Sequence, residues 1–186
     1  ENGSEVIFFI HGGGFSLGSA RSHRHFTLRL AKATALGVRA CDYPLSPEHR
    51  FPTALESIYA EFKRVSTTYE YVTVLGDSAG GNLSVALLHL LKQRGDTLPQ
   101  KLCLISPLTD CSGEHLSDEA RELCFSKEAV QAWPKIYCDD NERTDPLVSP
   151  IYGVFSGFPK TLIVVGKSET LLNDSQRLYN KLQASG

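Results

Sequence analysis

The chain has 186 residues, of which 41% are hydrophobic and 22% charged, and its formal net charge is −2. A chain of this length can bury one sizeable core, so we expect a single domain over residues 1–186. The balanced charge argues against a nucleic-acid partner, and no apolar run reaches the roughly 18 residues that a transmembrane segment needs.

The cysteines indicate neither a disulfide framework nor a zinc site. They are odd in number and show no C-x-x-C spacing, so we expect reduced thiols in a cytoplasmic protein and no metal or cofactor. The chain has no methionine and begins on Glu1, a few residues before an apolar run. We therefore interpret it as a piece of a longer protein, truncated at both ends.

Strand and helix patterns alternate along the chain. This alternation predicts an α/β fold with a doubly wound, mostly parallel sheet. Residues 111–144 are polar and break the rhythm, so we expect a lid-like insert over the edge of the sheet. The predicted elements, in chain order, are strand 5–10, helix 23–36, strand 38–43, helix 53–65, strand 71–76, helix 79–93, strand 101–106, helix 126–138, strand 161–166 and helix 171–184.

The segment GDSAG, residues 76–80, lies between a predicted strand and a predicted helix. G-x-S-x-G in this context predicts a nucleophile elbow, a tight turn that holds a serine hydroxyl above the sheet. Ser78 is therefore the candidate nucleophile. We expect its neighbour Asp77 to support the turn without transferring a proton.

The segment HGGG, residues 11–14, follows the first predicted strand. Attack by a serine on an ester carbonyl creates an oxyanion, which backbone N–H groups can stabilise. Because glycines leave the backbone bare, we expect the N–H groups of Gly13, Gly14 and Ala79 to form the oxyanion hole. His11 and Gly12 are expected to support that loop.

Four segments resemble the hormone-sensitive lipase-like branch of the α/β-hydrolases: HGGGF, DYPLSPEHRFPTAL, GDSAGGN and DPLVSP. The resemblance implies an α/β-hydrolase fold and a carboxylic ester hydrolase that forms an acyl-serine intermediate. Its partner would be a small-molecule ester with a short or medium acyl chain. The family usually has tyrosine-arginine-leucine-alanine-proline-glutamate where this chain has YPLSPE at 43–48, a difference in a supporting loop.

The order of the triad in this fold is serine, acid, histidine. Family members carry the acid directly before a residue-leucine pair, which makes Glu169 the favoured acid and leaves Asp174 as the alternative. No histidine follows Glu169, and a base from elsewhere would break the chain order. We expect the base to lie beyond Gly186 in the longer protein, and the 186 residues alone to be nearly inactive.

The remaining polar residues have structural interpretations. We expect His23 and His25 to lie on a solvated helix start near the mouth of the pocket, and His89 to be a core or groove residue. Asp42 and Asp110 are expected to tie loops together, and DPLVSP to shape a pocket wall.

Two other functions stay open: a ligand-binding receptor that has lost its base, and a serine peptidase or amidase. The sequence does not indicate an oligomeric state.

Overall fold

Five parallel strands form one sheet in the order β2-β1-β3-β4-β5. The computed structural model describes residues 4–116 and 125–186. Each predicted strand and helix is present, with ends that differ from the predicted ones by at most two residues. The elements are β1 Glu5–Ile10, α1 Arg24–Thr34, β2 Gly37–Cys41, α2 Thr53–Ser66, β3 Tyr71–Asp77, α3 Ala79–Arg94, β4 Lys101–Ile105, α4 Lys127–Tyr137, β5 Lys160–Val164 and α5 Leu172–Ala184.

The sheet has helices on both faces, which confirms the doubly wound α/β prediction. Phe8 of β1 packs with Phe62 of α2 and Leu87 of α3 in the main core cluster. On the other face, Phe9 packs with Leu30 of α1 in a smaller cluster. Since β1 is covered on both sides, its sequence is a continuous apolar run rather than an alternating one.

Helix α3 is the most deeply placed helix. All its residues from Ala79 to Leu91 are buried, so it is apolar around most of its circumference instead of along one stripe. It packs directly behind β3, and its first turn lies at the carboxyl end of that strand. This arrangement fixes the start of α3 relative to the sheet.

The strand order changes direction between β1 and β3. The chain leaves β1 toward β2 on one side, and it leaves β3 toward β4 on the other. Ile10 pairs with Gly76 in the register of these two strands. The segments that follow them, HGGG and the G-x-S-x-G turn, therefore emerge side by side at the switch point, where open α/β sheets bind ligands.

The predicted insert at 111–144 contributes no strand over its described residues, and residues 117–124 lie outside them. Its helix α4 contacts the segment after HGGG, because Tyr137 stacks on Phe15 with ring centroids 3.9 Å apart. The backbone N–H of Phe51 also donates to the carbonyl of Tyr137 at 2.8 Å. Helix α4 is thus anchored beside the carboxyl end of the strands.

Candidate active site

Ser78 occupies a strained turn between β3 and α3. Its backbone has φ 51° and ψ −119°, a conformation that non-glycine residues rarely adopt. The turn is fixed on both sides, because Ser78 N–H donates to Ile105 at 2.9 Å and its carbonyl accepts from Leu108 at 3.1 Å. The side chain is partly exposed at the amino-terminal end of α3. This strained turn between a strand and a helix is the geometry expected of a nucleophile elbow.

The two glycines of the G-x-S-x-G turn are required because neither position has room for a Cβ atom. A Cβ at Gly76 would overlap the carbonyl oxygen of Gly80 and approach Ser84 Oγ. A Cβ at Gly80 would overlap the carbonyl oxygen of Ile10, at the end of β1. Both positions therefore need glycine so that the elbow can pack against itself and against the neighbouring strand.

The HGGG segment turns away from β1 at its second and third glycines. Gly13 and Gly14 have φ values of 122° and 59°, which favour glycine. The carbonyl of Gly13 accepts from the N–H groups of Ser16 and Leu17, which closes the turn. The N–H groups of Gly13, Gly14 and Ala79 make no hydrogen bond with any other described residue, so they are free to bind an anion.

Asp77 joins the glycine segment to the elbow. Its Oδ1 accepts the backbone N–H of Gly12 at 2.9 Å, and a Cβ at Gly12 would overlap Oδ2. Burial raises the pKa of Asp77, while the His23 ring and the Gly12 N–H act in the opposite direction. The contact agrees with the predicted supporting role of Asp77.

His11 lies beneath the glycine segment and is fully buried. Its Nδ1 is 2.8 Å from the carbonyl of Gly12, and because a carbonyl only accepts, Nδ1 carries the proton. Its ring stacks on Tyr43 at 4.3 Å, and Tyr43 donates its hydroxyl to the His11 carbonyl at 2.7 Å. Burial lowers the pKa of His11, so the ring is neutral near pH 7.

His23 lies on a mostly exposed helix start close to the site, as expected, but its own side chain is more enclosed than its neighbours. Its ring stacks on His11 at 5.5 Å, and its Nε2 is 3.8 Å from Asp77 Oδ2. Only 25% of its side-chain surface is exposed. The start of α1 lies against the elbow, a contact between distant residues that local sequence pattern does not reveal. His25, in contrast, is exposed as expected.

The two candidate acids have different surroundings. Glu169 lies in the partly exposed turn after β5, where its Oε1 accepts the Gly166 N–H at 2.6 Å. Asp174 is fully buried, and its Oδ2 accepts the N–H groups of Thr109 and Asp110 at 2.6 and 3.0 Å. Burial raises the pKa of Asp174 to about 6. Asp174 therefore ties α5 to the loop after β4, which is a structural contact.

Other predicted residues are placed as follows. His89 is buried and donates from Nε2 to the Pro150 carbonyl at 3.0 Å, and burial lowers its pKa to about 4. Asp42 accepts the Ala20 N–H at 2.6 Å, which ties two loops as predicted, and Asp110 pairs with Arg177 at 2.7 Å, which ties its loop to α5. In the DPLVSP segment, the carbonyl of Val148 accepts from Asn82 of α3, so part of it packs on that helix.

No histidine in the described part of the chain hydrogen-bonds to Ser78. Within residues 4–116 and 125–186, no cluster of three His, Cys, Asp or Glu side chains could hold a metal ion. No helix there is both long enough and apolar enough to cross a bilayer. The four described cysteines are unpaired.

A model of the alpha/beta hydrolase fold family matches residues 7–186. The chain belongs to this family. An esterase of Acinetobacter venetianus is 38% identical over 187 residues, and an acetyl-hydrolase of Streptomyces hygroscopicus is 35% identical over the same length. Each match covers 97% of this chain and 62% of the relative, so the chain spans about three fifths of their length.

Solved structures of the same α/β-hydrolase family agree with the fold. A hormone-sensitive lipase from a metagenome library is 33% identical, with a TM-score of 0.94, and the match covers 99% of this chain and 64% of that one. An esterase of the bacterial hormone-sensitive lipase family is also 33% identical, with a TM-score of 0.91 and the same coverage. These similarities confirm the predicted resemblance to the hormone-sensitive lipase-like branch.

Proposed function

We propose that the protein to which this chain belongs is a carboxylic ester hydrolase in which Ser78 is the nucleophile. The observation that carries the proposal is the pairing of two loops at the switch point of the sheet. One presents a serine hydroxyl, and the other presents the unengaged amides of Gly13 and Gly14. The Gly12–Asp77 hydrogen bond holds the two loops together.

In this proposal, Ser78 Oγ attacks the ester carbonyl carbon and gives its proton to a histidine base. The carbonyl oxygen becomes an oxyanion that accepts from the N–H groups of Gly13, Gly14 and Ala79. The C–O bond to the alcohol then breaks, and the imidazolium protonates the alcohol as it leaves. Water repeats these steps on the acyl-serine and releases the carboxylic acid.

Glu169 is the acid in this proposal. It follows β5, whose Val164 pairs with Ile105 of β4, and Ile105 pairs with Asp77 of β3. The turn bearing Glu169 therefore lies at the same edge of the sheet as Ser78. Within the described residues its carboxylate accepts one backbone N–H, whereas Asp174 is buried and held by two N–H groups.

We also propose that the base comes from sequence that follows residue 186 in the whole protein. The six histidines of this chain all precede Glu169, and none hydrogen-bonds to Ser78 in the described part. The whole protein is then expected to hydrolyse esters, and the 186 residues alone to have almost no turnover. Turnover by the 186 residues at ordinary esterase rates, abolished by Ser78→Ala, would contradict this assignment. The cytoplasmic location stays a prediction.

The test is hydrolysis of p-nitrophenyl acetate and butyrate by the whole protein. Ser78→Ala should reduce turnover by about 10⁴- to 10⁶-fold. Ser66→Ala is the matched control, because Ser66 is exposed in α2 and its hydroxyl contacts only its own helix. Full activity in Ser78→Ala would refute the proposal. A panel of p-nitroanilides separates an esterase from an amidase, and binding without turnover would favour a receptor.

A further inference from the structure

The ring of His23, at the start of α1, is enclosed by groups that belong to or follow β1 and β3. It stacks on His11 with ring centroids 5.5 Å apart, and it lies 5.7 Å from the ring of Phe9. On the β3 side, its Nε2 is 3.8 Å from Oδ2 of Asp77. Among the described residues, no other cationic side chain lies within 4 Å of that carboxylate. The charge state of His23 therefore acts directly on Asp77.

The other ring nitrogen of His23 is held by the turn before α1. Its Nδ1 lies 3.1 Å from the carbonyl oxygen of Ser19 and 3.0 Å from Ser22 Oγ. A carbonyl only accepts, and the Ser22 hydroxyl already donates to the same carbonyl at 2.9 Å. Nδ1 therefore carries a proton in both charge states of the ring. In the neutral ring, Nε2 has no proton and turns a lone pair toward the carboxylate of Asp77.

A second proton, on Nε2 of His23, changes the sign of this contact. The neutral ring places a lone pair opposite a carboxylate, which is unfavourable, whereas the imidazolium places a positive charge there. At 3.8 Å, the two atoms are within the range of an ion pair but beyond that of a direct hydrogen bond. Burial raises the pKa of Asp77, and the charge of His23 acts in the opposite direction. The imidazolium therefore helps to keep Asp77 ionised.

The other ionisable groups around the His23 ring come from three elements. His11, after β1, is neutral near pH 7 because burial lowers its pKa. Asp42, after β2, is a second carboxylate, and its Oδ1 accepts the Ala20 N–H in the turn before α1. The exposed ionisable side chains beside His23 on its own segment are Arg21, Arg24 and His25. Of all these groups, His23 is the cation that lies against Asp77, and its charge depends on pH because imidazole titrates near neutrality.

We propose that His23 is a positioning residue that aligns the candidate oxyanion loop through Asp77. This inference rests on the proposed esterase activity. In its imidazolium form, His23 keeps Asp77 ionised, and a charged Oδ1 holds the Gly12 N–H more strongly than a neutral carboxyl group does. Because Gly13 and Gly14 follow Gly12, the position of their amides depends on this bond. Loss of the proton from Nε2 weakens the bond and loosens the loop.

The test is the pH dependence of kcat for p-nitrophenyl acetate with the whole protein, from pH 6 to 9. His23→Gln removes the charge and should lower kcat at pH 6 by about three- to tenfold, with KM changed by less than about twofold, because the oxyanion forms only in the transition state. The ratio of wild type to His23→Gln should fall toward one at pH 9, as the wild-type ring loses its charge. His23→Arg carries a permanent charge on a planar group that can stack on His11. Its kcat should match that of wild type at pH 6 and exceed it about threefold or more at pH 9.

A double variant shows whether His23 acts through Asp77. The side chain of Asp77→Asn cannot ionise, so adding His23→Gln to it should cause no further loss of kcat. A further loss as large as that in the wild-type background would contradict the proposal. His25→Gln is the matched control, because His25 is an exposed histidine of the same helix and should leave kcat and its pH profile unchanged.

The outcomes separate the two proposals. If the wild-type protein hydrolyses no ester, the proposed function fails. If it hydrolyses p-nitrophenyl acetate but His23→Gln keeps the wild-type kcat at every pH, only the inference on His23 is overturned. Equal losses in His23→Gln and His23→Arg at every pH would also overturn it, since the ring would then only support the packing of α1. If His23→Gln does not fold, as judged by circular dichroism, the ratio of His23→Arg to wild type decides: a rise with pH supports the role, and a constant ratio contradicts it.

Discussion

The carboxylate of Asp77 accepts the backbone N–H of Gly12 at 2.9 Å, across 65 residues of sequence. Asp77 precedes the candidate nucleophile, and Gly12 precedes the candidate oxyanion donors. A single hydrogen bond therefore sets the position of one loop relative to the other. His23 lies on the far side of the same carboxylate, with Nε2 3.8 Å from Oδ2.

Removing this hydrogen bond should reduce catalysis more than stability. In Asp77→Ala, no hydrogen bond fixes the position of the glycine amides relative to Ser78. We therefore expect kcat to fall about 10- to 100-fold, which corresponds to the loss of a charge-assisted hydrogen bond worth about 1.5–3 kcal/mol. Asp77→Asn keeps an oxygen that can accept from Gly12, so its kcat should fall less. Ester hydrolysis with both variants, beside circular dichroism, checks the order. Equal losses in the two variants would show that the charge matters and the acceptor does not.

The close approach of α3 to β1 gives a stability prediction. Gly80→Ala places a methyl group on the carbonyl oxygen of Ile10, and neither backbone can move easily, so the free energy of unfolding should fall by about 3 kcal/mol. Urea unfolding of the purified protein measures this loss. Gly37→Ala is the matched control, because a Cβ there meets only Val6 Cγ2 at 3.9 Å. A loss in Gly80→Ala no larger than in Gly37→Ala would contradict the packing argument.

The strands, the helices and the two glycine loops could be predicted because their signals are local. The apolar run of β1 and the G-x-S-x-G turn each lie within a few consecutive residues, and so does the HGGG segment. The contacts of His23 with Asp77 and of Trp133 with Gly14 join residues more than 50 positions apart. They depend on how α1 and α4 pack on the finished sheet, and no spacing in the sequence encodes that.

The two candidate acids show the same difference between local sequence signals and tertiary contacts. Sequence order favoured Glu169 but left Asp174 open, since both follow β5 within ten residues. Their difference lies in burial: Asp174 is enclosed by the backbone of Thr109 and Asp110, which belong to a loop 64 and 65 residues away. Whether a polar residue at a helix start is buried depends on tertiary packing, so the sequence alone does not show this difference.

Asp174 should make folding stability depend on pH between about 4 and 6. Burial raises its pKa from the ordinary value of 3.8 to about 6, so the folded state holds the proton more tightly than the unfolded state. Its contribution is most favourable below pH 4 and is lost as the pH rises through 6, a change of about 3 kcal/mol at 1.36 kcal/mol per pKa unit. Asp174→Asn should remove this component. The test is urea unfolding of wild type and Asp174→Asn at pH 4, 5, 6 and 7. The difference between their free energies of unfolding is compared across pH, because Asp110 has a lowered pKa and changes the stability of both proteins in the opposite direction. A constant difference from pH 4 to 7 would show that Asp174 keeps an ordinary pKa.

Glu169 should affect turnover without affecting stability. If its carboxylate orients and stabilises the protonated base, Glu169→Gln should lower kcat of the whole protein by about 10³- to 10⁴-fold, as loss of a triad acid does in other serine hydrolases. The free energy of unfolding of Glu169→Gln should change by about 1 kcal/mol or less. Oε1 accepts the Gly166 N–H, and glutamine retains an oxygen that can accept it. Glu70→Gln is the control, since Glu70 is an exposed carboxylate before β3 at the opposite end of the sheet. A kcat near that of wild type in Glu169→Gln, together with a large loss in Asp174→Asn at a pH where that variant is folded, would move the role of the acid to Asp174.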